Sequence, residues 1–449
     1  MTTREAVVCG ASMGGLLAAR VLSDAYDSVT LVERDRLPED VSQRAGVPQG
    51  HHVHMLMSLG LKILEELFPG ATKELQDAGA PILDNRDLSG VYVEVRGHAL
   101  CRTGALAKPD DMPVQPTSRP LLESIVRERV CALSNVKVLD GHDVVEPVLN
   151  DRTVTGVRIV DRAGAHQTTL SADLVVDATG RSARTPAFLA AHGFPRPVER
   201  SYRVQLTYTS QLFRLAPDAL GDRVIFVSPT RERPTGVGML AHENDTMVVT
   251  LIGVAGHQLP TRLPEMLAAV AECVPPEVST ALAAAAEPMG ETHHRQFPTS
   301  VWRRYDKLSS FPHGLLVIGD AVCSLNPMYG QGMTSALLQA LSLQETLAAD
   351  GASTSHDYFR RVARRLTPFW WANRLNDFTF LPTSGWKAWP QRALNSYVTA
   401  YMAAASNDIA LSETFLRMLQ GVDPGTILMR PRQIARVVAH AGRNLAGRQ

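Results

Sequence analysis

The chain has 449 residues, of which 45% are hydrophobic and 20% charged, and its 45 basic residues balance 45 acidic ones. That length accommodates two or three domains, or one large fold with an insertion, and the balanced charge supplies no global field for nucleic acid or an anionic membrane. No apolar run reaches the roughly 18 residues of a bilayer span, no leader pattern opens the chain, and five widely spaced cysteines without a C-x-x-C pair fit reduced thiols in a cytoplasmic protein better than a disulfide frame or structural zinc.

In chain order, Ala6–Cys9 predicts a short buried strand and Leu16–Leu22 a helix, joined by Gly10-Ala11-Ser12-Met13-Gly14-Gly15. A second strand, Val29–Val32, ends at Glu33. This is the strand–turn–helix–strand pattern of a dinucleotide-binding unit. Gly10 permits the tight turn and Gly15 lets the helix lie close to the sheet. The helix N-terminus offers free N–H groups and a positive dipole end to a pyrophosphate. Ser12 stands where such turns usually have a second glycine, and it is small enough to leave the backbone approachable. An acid at position 33 accepts bonds from a ribose with a free 2′-hydroxyl, which favours FAD or NAD over NADP.

The loop Arg44-Ala45-Gly46-Val47-Pro48-Gln49-Gly50 precedes His52 and His54, which share one face if that stretch is extended. No third ligand stands at a metal-binding spacing, so these histidines are expected to pack or hydrogen-bond beside a cofactor. Arg44 can meet a diphosphate bidentately. Ser118 is a fitting N-cap and Pro120 a fitting first-turn residue for a helix through Arg129, which places Arg119 at a helix start facing a cofactor's polar edge. Strands follow at Val136–Leu139 and Val154–Val160, the second returning through a turn near Gly164 to a strand ending at Leu170. Asp173-Leu174-Val175-Val176-Asp177-Ala178-Thr179-Gly180-Arg181 is a further apolar strand, breaking at a glycine.

Between about residues 200 and 300 the pattern changes. Alternation at Val204, Leu206, Tyr208 and Ser210, and the β-forming run Met247–Ile252, predict an antiparallel sheet acting as a second domain. The strand Leu315–Ile318 then ends in Gly319-Asp320, and the loop Asn326-Pro327-Met328-Tyr329-Gly330-Gln331-Gly332-Met333 leads into a helix from Thr334 to Ala348. An aspartate at a strand end can bind a sugar or ribitol hydroxyl, and a helix start behind two glycines can set N–H groups against an anion. From about residue 355 the pattern is helical, and Arg430, Arg432, Arg436 and Arg443 read as a solvated face.

Taken together, these motifs resemble the FAD-dependent monooxygenases of the aromatic-hydroxylase superfamily, most closely the bacterial secondary-metabolism branch that includes polyene epoxidases. The resemblance implies an α/β fold: a Rossmann-like FAD-binding domain from residues 1–80, 115–190 and 306–348, an inserted antiparallel sheet for substrate from 81–114 and 191–305, and a C-terminal helical region over 349–449. It implies that Gly10, Ser12, Gly14 and Gly15 hold the pyrophosphate, that Glu33 binds the adenosine ribose with Arg34 beside the adenine, and that Arg44 and Arg119 contact the diphosphate and ribityl regions. Asp320 would bind ribitol, and Pro327, Gly330, Gly332 and Met333 would flank the isoalloxazine. His52, His54 and Tyr208 are the candidates for positioning substrate.

The implied activity is oxygen insertion into an apolar secondary-metabolite intermediate through a flavin C4a-hydroperoxide, as epoxidation or hydroxylation. Where typical members carry Asp-Gly, this chain has Thr179-Gly180, with the acid at Asp177 instead. The electron donor is therefore either NAD(P)H or reduced flavin from a partner reductase. Two alternatives stay open: a non-redox cyclase keeping FAD as scaffold, and an FAD-dependent double-bond reductase. The halogenase relatives' W-x-W-x-I-P string is not matched by Trp386-Lys387-Ala388-Trp389-Pro390, so halogenation is not expected.

Overall fold

The computed structural model describes residues 3–83, 86–216, 219–349, 355–380 and 389–446. Its first body is a five-stranded parallel sheet in the order Leu315–Val317, Leu174–Asp177, Glu5–Cys9, Ser28–Val32, Val136–Leu139. The first strand is central, so both its faces must be covered, and its sequence meets that demand with four consecutive buried residues. Side chains alternate across the strand. Ala6 and Val8 point into the core shared with the helices Met13–Ser23, Arg119–Cys131 and Gly332–Leu347, while Val7 and Cys9 point into a second core. That second core lies under a three-stranded antiparallel sheet, His142–Asn150, Thr153–Asp161 and Gln167–Ser171, the return at Gly164 falling where the sequence predicts it.

The second body is an eight-stranded sheet in the order Cys323–Ser324, Ala286–Arg304, Val198–Leu215, Thr246–Gly253, Thr235–His242, Val224–Val227, Val91–Val95, His98–Ala99. It is mixed rather than wholly antiparallel, because Val91–Val95 runs parallel to Val224–Val227. No hairpin joins that strand to Val224–Val227, which lies far along the chain, so no local turn fixes their relative direction. Period 2 again divides the faces. Met247, Val249 and Leu251 meet the helices Leu263–Ala271 and Pro276–Ala285. Val248, Thr250 and Ile252 face the other way, towards the first body.

The C-terminal helices distribute between the two bodies. Ser355–Asp377 packs through Tyr358, Phe359, Leu366 and Trp370 into the core of the parallel sheet. Tyr401 and Met402 of Trp389–Ala405, Leu411, Phe415 and Leu416 of Ile409–Leu419, and Val437 of Pro431–Ala446 form another core with Val93 of the second sheet and Leu100 just past its last strand. Trp386, Lys387 and Ala388 lie outside the described residues. No described helix is long and apolar enough to cross a membrane.

Candidate active site

The glycine turn is set by contact distances. Gly10 has φ +106°, and a Cβ there would stand 2.7 Å from the Ala178 carbonyl oxygen. A Cβ on Gly15 would lie 1.7 Å from the Gly10 oxygen, so only glycine lets the helix start this close to the strand. Gly14 is packed less tightly, its nearest neighbour being the Gly319 Cα at 3.6 Å. The helix that begins at Met13 has no side-chain cap and no acid in its first turn. Its N-cap, Ser12, spends its hydroxyl elsewhere, accepting from Arg119 Nη2 at 2.9 Å. The first N–H groups of this helix therefore remain for an anion.

Beneath the turn runs a buried chain of alternating charges. Glu33 Oε2 accepts from the Ala11 N–H at 2.7 Å and pairs with Arg44 Nη2 at 2.9 Å. Arg44 Nη1 bonds the Ala11 oxygen and pairs with Glu123 Oε1. Glu123 Oε2 takes Arg119 Nε at 3.0 Å and Nη2 at 2.8 Å. Burial alone would raise the Glu123 pKa, but the fields of Arg119 and Arg44 hold it below the usual carboxylate range. Arg44 Nε is buried with no partner. Arg34 is exposed, near Asp35. Glu123 is the residue the sequence reading missed; its i,i+4 spacing from Arg119 was the available signal.

Beside the turn, past the end of the edge strand Leu315–Val317, Asp320 follows Gly319, whose N–H donates to Gln339 Oε1 at 2.9 Å. Burial pushes the Asp320 carboxyl up, while Arg181 and Arg119 pull it back. The loop beyond is packed through Leu325 and Met333 and tied by side-chain hydrogen bonds. Asn326 Oδ1 accepts the Met328 N–H at 2.9 Å. Asn326 Nδ2 and the Tyr329 hydroxyl both donate to Asp377 Oδ1, at 2.7 and 2.8 Å, and Asn373 Nδ2 donates to Gln331 Oε1 at 2.7 Å. Gly330 takes φ +66°, and Gly332 has nothing within 4 Å of a Cβ position, so the helix it opens presents bare backbone. Asp377, also unforeseen from sequence, is buried with Oδ2 unpaired. Burial raises its pKa to about 6, against the bonds from Tyr329 and Asn326.

The sheet contributes a polar thread on an otherwise apolar wall. The Val53 N–H donates to Thr250 Oγ1 at 2.8 Å, Thr250 meets Ser210 Oγ at 2.7 Å, and Ser210 meets His52 Nδ1 at 2.8 Å. The amide can only donate, whereas the Thr250 and Ser210 hydroxyls can each donate or accept, so the thread ties His52 Nδ1 to the sheet in either tautomer. Burial, followed by the charges of His51 and His293, lowers the His52 pKa to about 4. The Tyr208 ring stands 5.5 Å from that of His52. His54 Nδ1 is buried without a partner. Among the described residues no group of three His, Cys, Asp or Glu side chains is arranged to hold a metal.

Gly10, Ser12, Gly14, Glu33, Arg34, Arg44, Arg119, His52, His54, Tyr208 and Asp320 border one cavity of 2610 Å³, with Gly15, Glu123, Ser210, Thr250, Asn326 and Asp377 set behind its wall. It passes from Gly10, Ser12, Glu33 and Arg34, beside Asp320 and Gly330–Met333, into a chamber between the sheet face and the C-terminal helices. Single-ligand pockets usually hold about 300–1,000 Å³, so this one has room for a long cofactor and a second molecule.

A family model described as FAD binding domain matches residues 3–357. The chain belongs to that family. FAD is its cofactor, and the chain is an FAD-dependent oxidoreductase. Protein Rv3254 of Mycobacterium tuberculosis strain H37Rv is 38% identical over 97% of this chain and 93% of its own. The flavin-dependent brominase Bmp2 superposes with a TM-score of 0.67 over 100% of both chains at 15% identity. The p-nitrophenol 4-monooxygenase PnpA of Pseudomonas putida DLL-E4 gives 0.65 over 94% of this chain and 98% of its own at 18% identity. At those identities the likeness is one of fold. The residues present fit FAD: two uncapped helix starts and the orphaned Arg44 Nε supply donors for an anionic dinucleotide. Asp177 is spent within the fold, accepting from Thr179 and Thr185.

Proposed function

We propose that this FAD enzyme is a monooxygenase that inserts one oxygen atom into an apolar organic substrate, by hydroxylation or epoxidation. The observation that carries the reading is the single cavity continuous from the glycine turn to an apolar chamber. The reaction takes one oxygen atom of O₂ into product and the other into water, with two electrons from NAD(P)H or from reduced flavin delivered by a partner reductase. Bound FAD supplies the electron transfer and the activation of dioxygen.

In this reading Gly10, Ser12, Gly14 and Gly15 hold the pyrophosphate, and Arg44 and Arg119 supply positive charge beneath it. Glu33 and Arg34 meet the adenosine, Asp320 meets the ribitol, and Pro327, Gly330, Gly332 and Met333 line the ring system. Neutral His52 borders the chamber, so its ring can orient a polar group of the substrate without adding charge, and Tyr208 packs beside it. The chamber walls, among them Phe226, Leu375, Phe380 and Phe415, exclude water from the reacting centre.

The test is turnover of a panel of aromatic and polyene compounds by FAD-loaded protein with a reductant, under ¹⁸O₂ and under argon. The expected result is one labelled oxygen per product and none under argon. Product formed under argon with the flavin left oxidised would replace this reading with the cyclase one.

A further inference from the structure

The strands Val91–Val95 and His98–Ala99 are joined by a two-residue turn, Arg96-Gly97, with φ values of +54° and +77°. Two positive φ values in such a turn call for Asn-Gly, Asp-Gly or Gly-Gly. A long side chain in the first position is strained, and the strain invites a functional explanation. The Arg96 side chain lines the cavity. Its Nη1 donates to the Asn395 carbonyl at 2.8 Å and to Thr399 Oγ1 at 3.2 Å, and its Nη2 to Asn395 Oδ1 at 3.4 Å. Those acceptors are all neutral. Arg44, Arg119, Arg233 and Arg304 each have a carboxylate partner, whereas among the described residues none pairs with Arg96. A guanidinium has five N–H donors and stays charged, so this one reaches the chamber with charge and donors to spare. Burial pushes its pKa down, as expected for a cation taken from water without a counter-ion, and the opposing field comes from Tyr329 on the loop that flanks the flavin site.

We propose that Arg96 anchors a carboxylate of the substrate, so that the enzyme acts on apolar organic acids; this rests on the oxygen-insertion reading above. The acid meets Arg96, between the sheet and the helix Trp389–Ala405, and the apolar remainder of the molecule extends along the chamber past Tyr329. A neutral ester of the same shape leaves the guanidinium unpaired and loses the charge-assisted bonds.

The experiment uses FAD-loaded full-length protein and three probe acids, trans-cinnamate, 2-naphthoate and decanoate, each against its methyl ester, read by flavin absorbance and by calorimetry. The wild type is expected to bind at least one acid about tenfold or more tighter than its ester, the scale of a charged hydrogen-bond pair. R96Q and R96G should bring that ratio near one, and R96K should keep part of it. R96G relieves the left-handed strain, so it folds even if R96Q does not, and FAD content with urea unfolding checks this. No preference for any acid in the wild type, or a preference surviving in both R96Q and R96G, overturns the anchor. Oxygen-dependent turnover without acid preference removes the anchor alone. An Arg96-dependent preference without such turnover removes the oxygen-insertion reading alone.

Discussion

Replacing Glu123 by Gln removes one negative charge from between two buried arginines. Glu123 takes Arg44 Nη1 on one oxygen, Arg119 Nε and Nη2 on the other, and Ser12 Oγ lies 3.4 Å away. The glutamine keeps one acceptor oxygen but turns an N–H₂ towards a guanidinium. Breaking a buried ion pair from one side costs about 3–5 kcal/mol, which is the expected loss for apo-protein at pH 7. FAD changes that figure if the pyrophosphate sits over the arginines, because it restores a negative partner. The loss in FAD-saturated protein is then expected to be smaller by about 1–3 kcal/mol, the worth of a charged hydrogen bond or two. The assay is urea unfolding of wild type and E123Q, with and without FAD, followed by tryptophan fluorescence, since Trp302 and Trp370 are buried in the core concerned. The sign with pH is fixed as well. A carboxylate held below its ordinary pKa stabilises the fold fully above about pH 4.3 and loses that contribution as pH falls further, so the gap between the proteins should shrink only in acid. An equal loss with and without FAD would refute the placement of the pyrophosphate over Arg44 and Arg119.

Two further outcomes test the turn and the loop. G15A forces a Cβ to 1.7 Å from a backbone oxygen, whereas G14A meets its nearest atom at 3.6 Å. G15A should lose bound flavin and about 3 kcal/mol or more of stability, and G14A should fold normally; similar urea midpoints for the two would contradict the close-packed turn. Asp377 titrates at about 6 in the fold, above its ordinary value near 3.9, so the native state binds the extra proton between those values and stability falls as pH rises through that window. The loss is about 2–3 kcal/mol and is complete above pH 6. D377N keeps an acceptor for Asn326 and Tyr329 and should flatten that slope while retaining FAD. D377L should release the loop and raise the FAD dissociation constant. An unchanged slope in D377N would remove Asp377 as its source.

How much of this was legible in sequence divides by distance along the chain. The glycine turn, the strand end at Glu33, the Ser118 cap and the Gly319-Asp320 strand end are each written within a short run of consecutive residues, because backbone geometry dictates them. The parallel direction of Val91–Val95 was not, since its partner strand lies at Val224–Val227 and an alternating apolar pattern is the same in either direction. Glu123 stands four residues from Arg119, yet i,i+4 pairs are ordinary on solvated helices. What buries this one is Arg44, 79 residues away in the chain. Asp377 reaches Asn326 across 51 residues, and Arg96 reaches Asn395 across 299.

The two ends of the cavity therefore rest on different kinds of information. The nucleotide end follows from local backbone rules, which any sequence with the right glycines and strand ends obeys. The fold that carries those rules accordingly recurs in a structure sharing only 15% of residues. The chamber end, proposed for substrate, is assembled from side chains brought together by the second sheet and the C-terminal helices, where each meeting depends on long-range packing. If Arg96 anchors the substrate as proposed, substrate choice can vary at that turn without touching the glycine turn or the Gly319-Asp320 strand end. That separation makes acid against ester binding the informative comparison, because it reads the chamber while FAD content reads the fold.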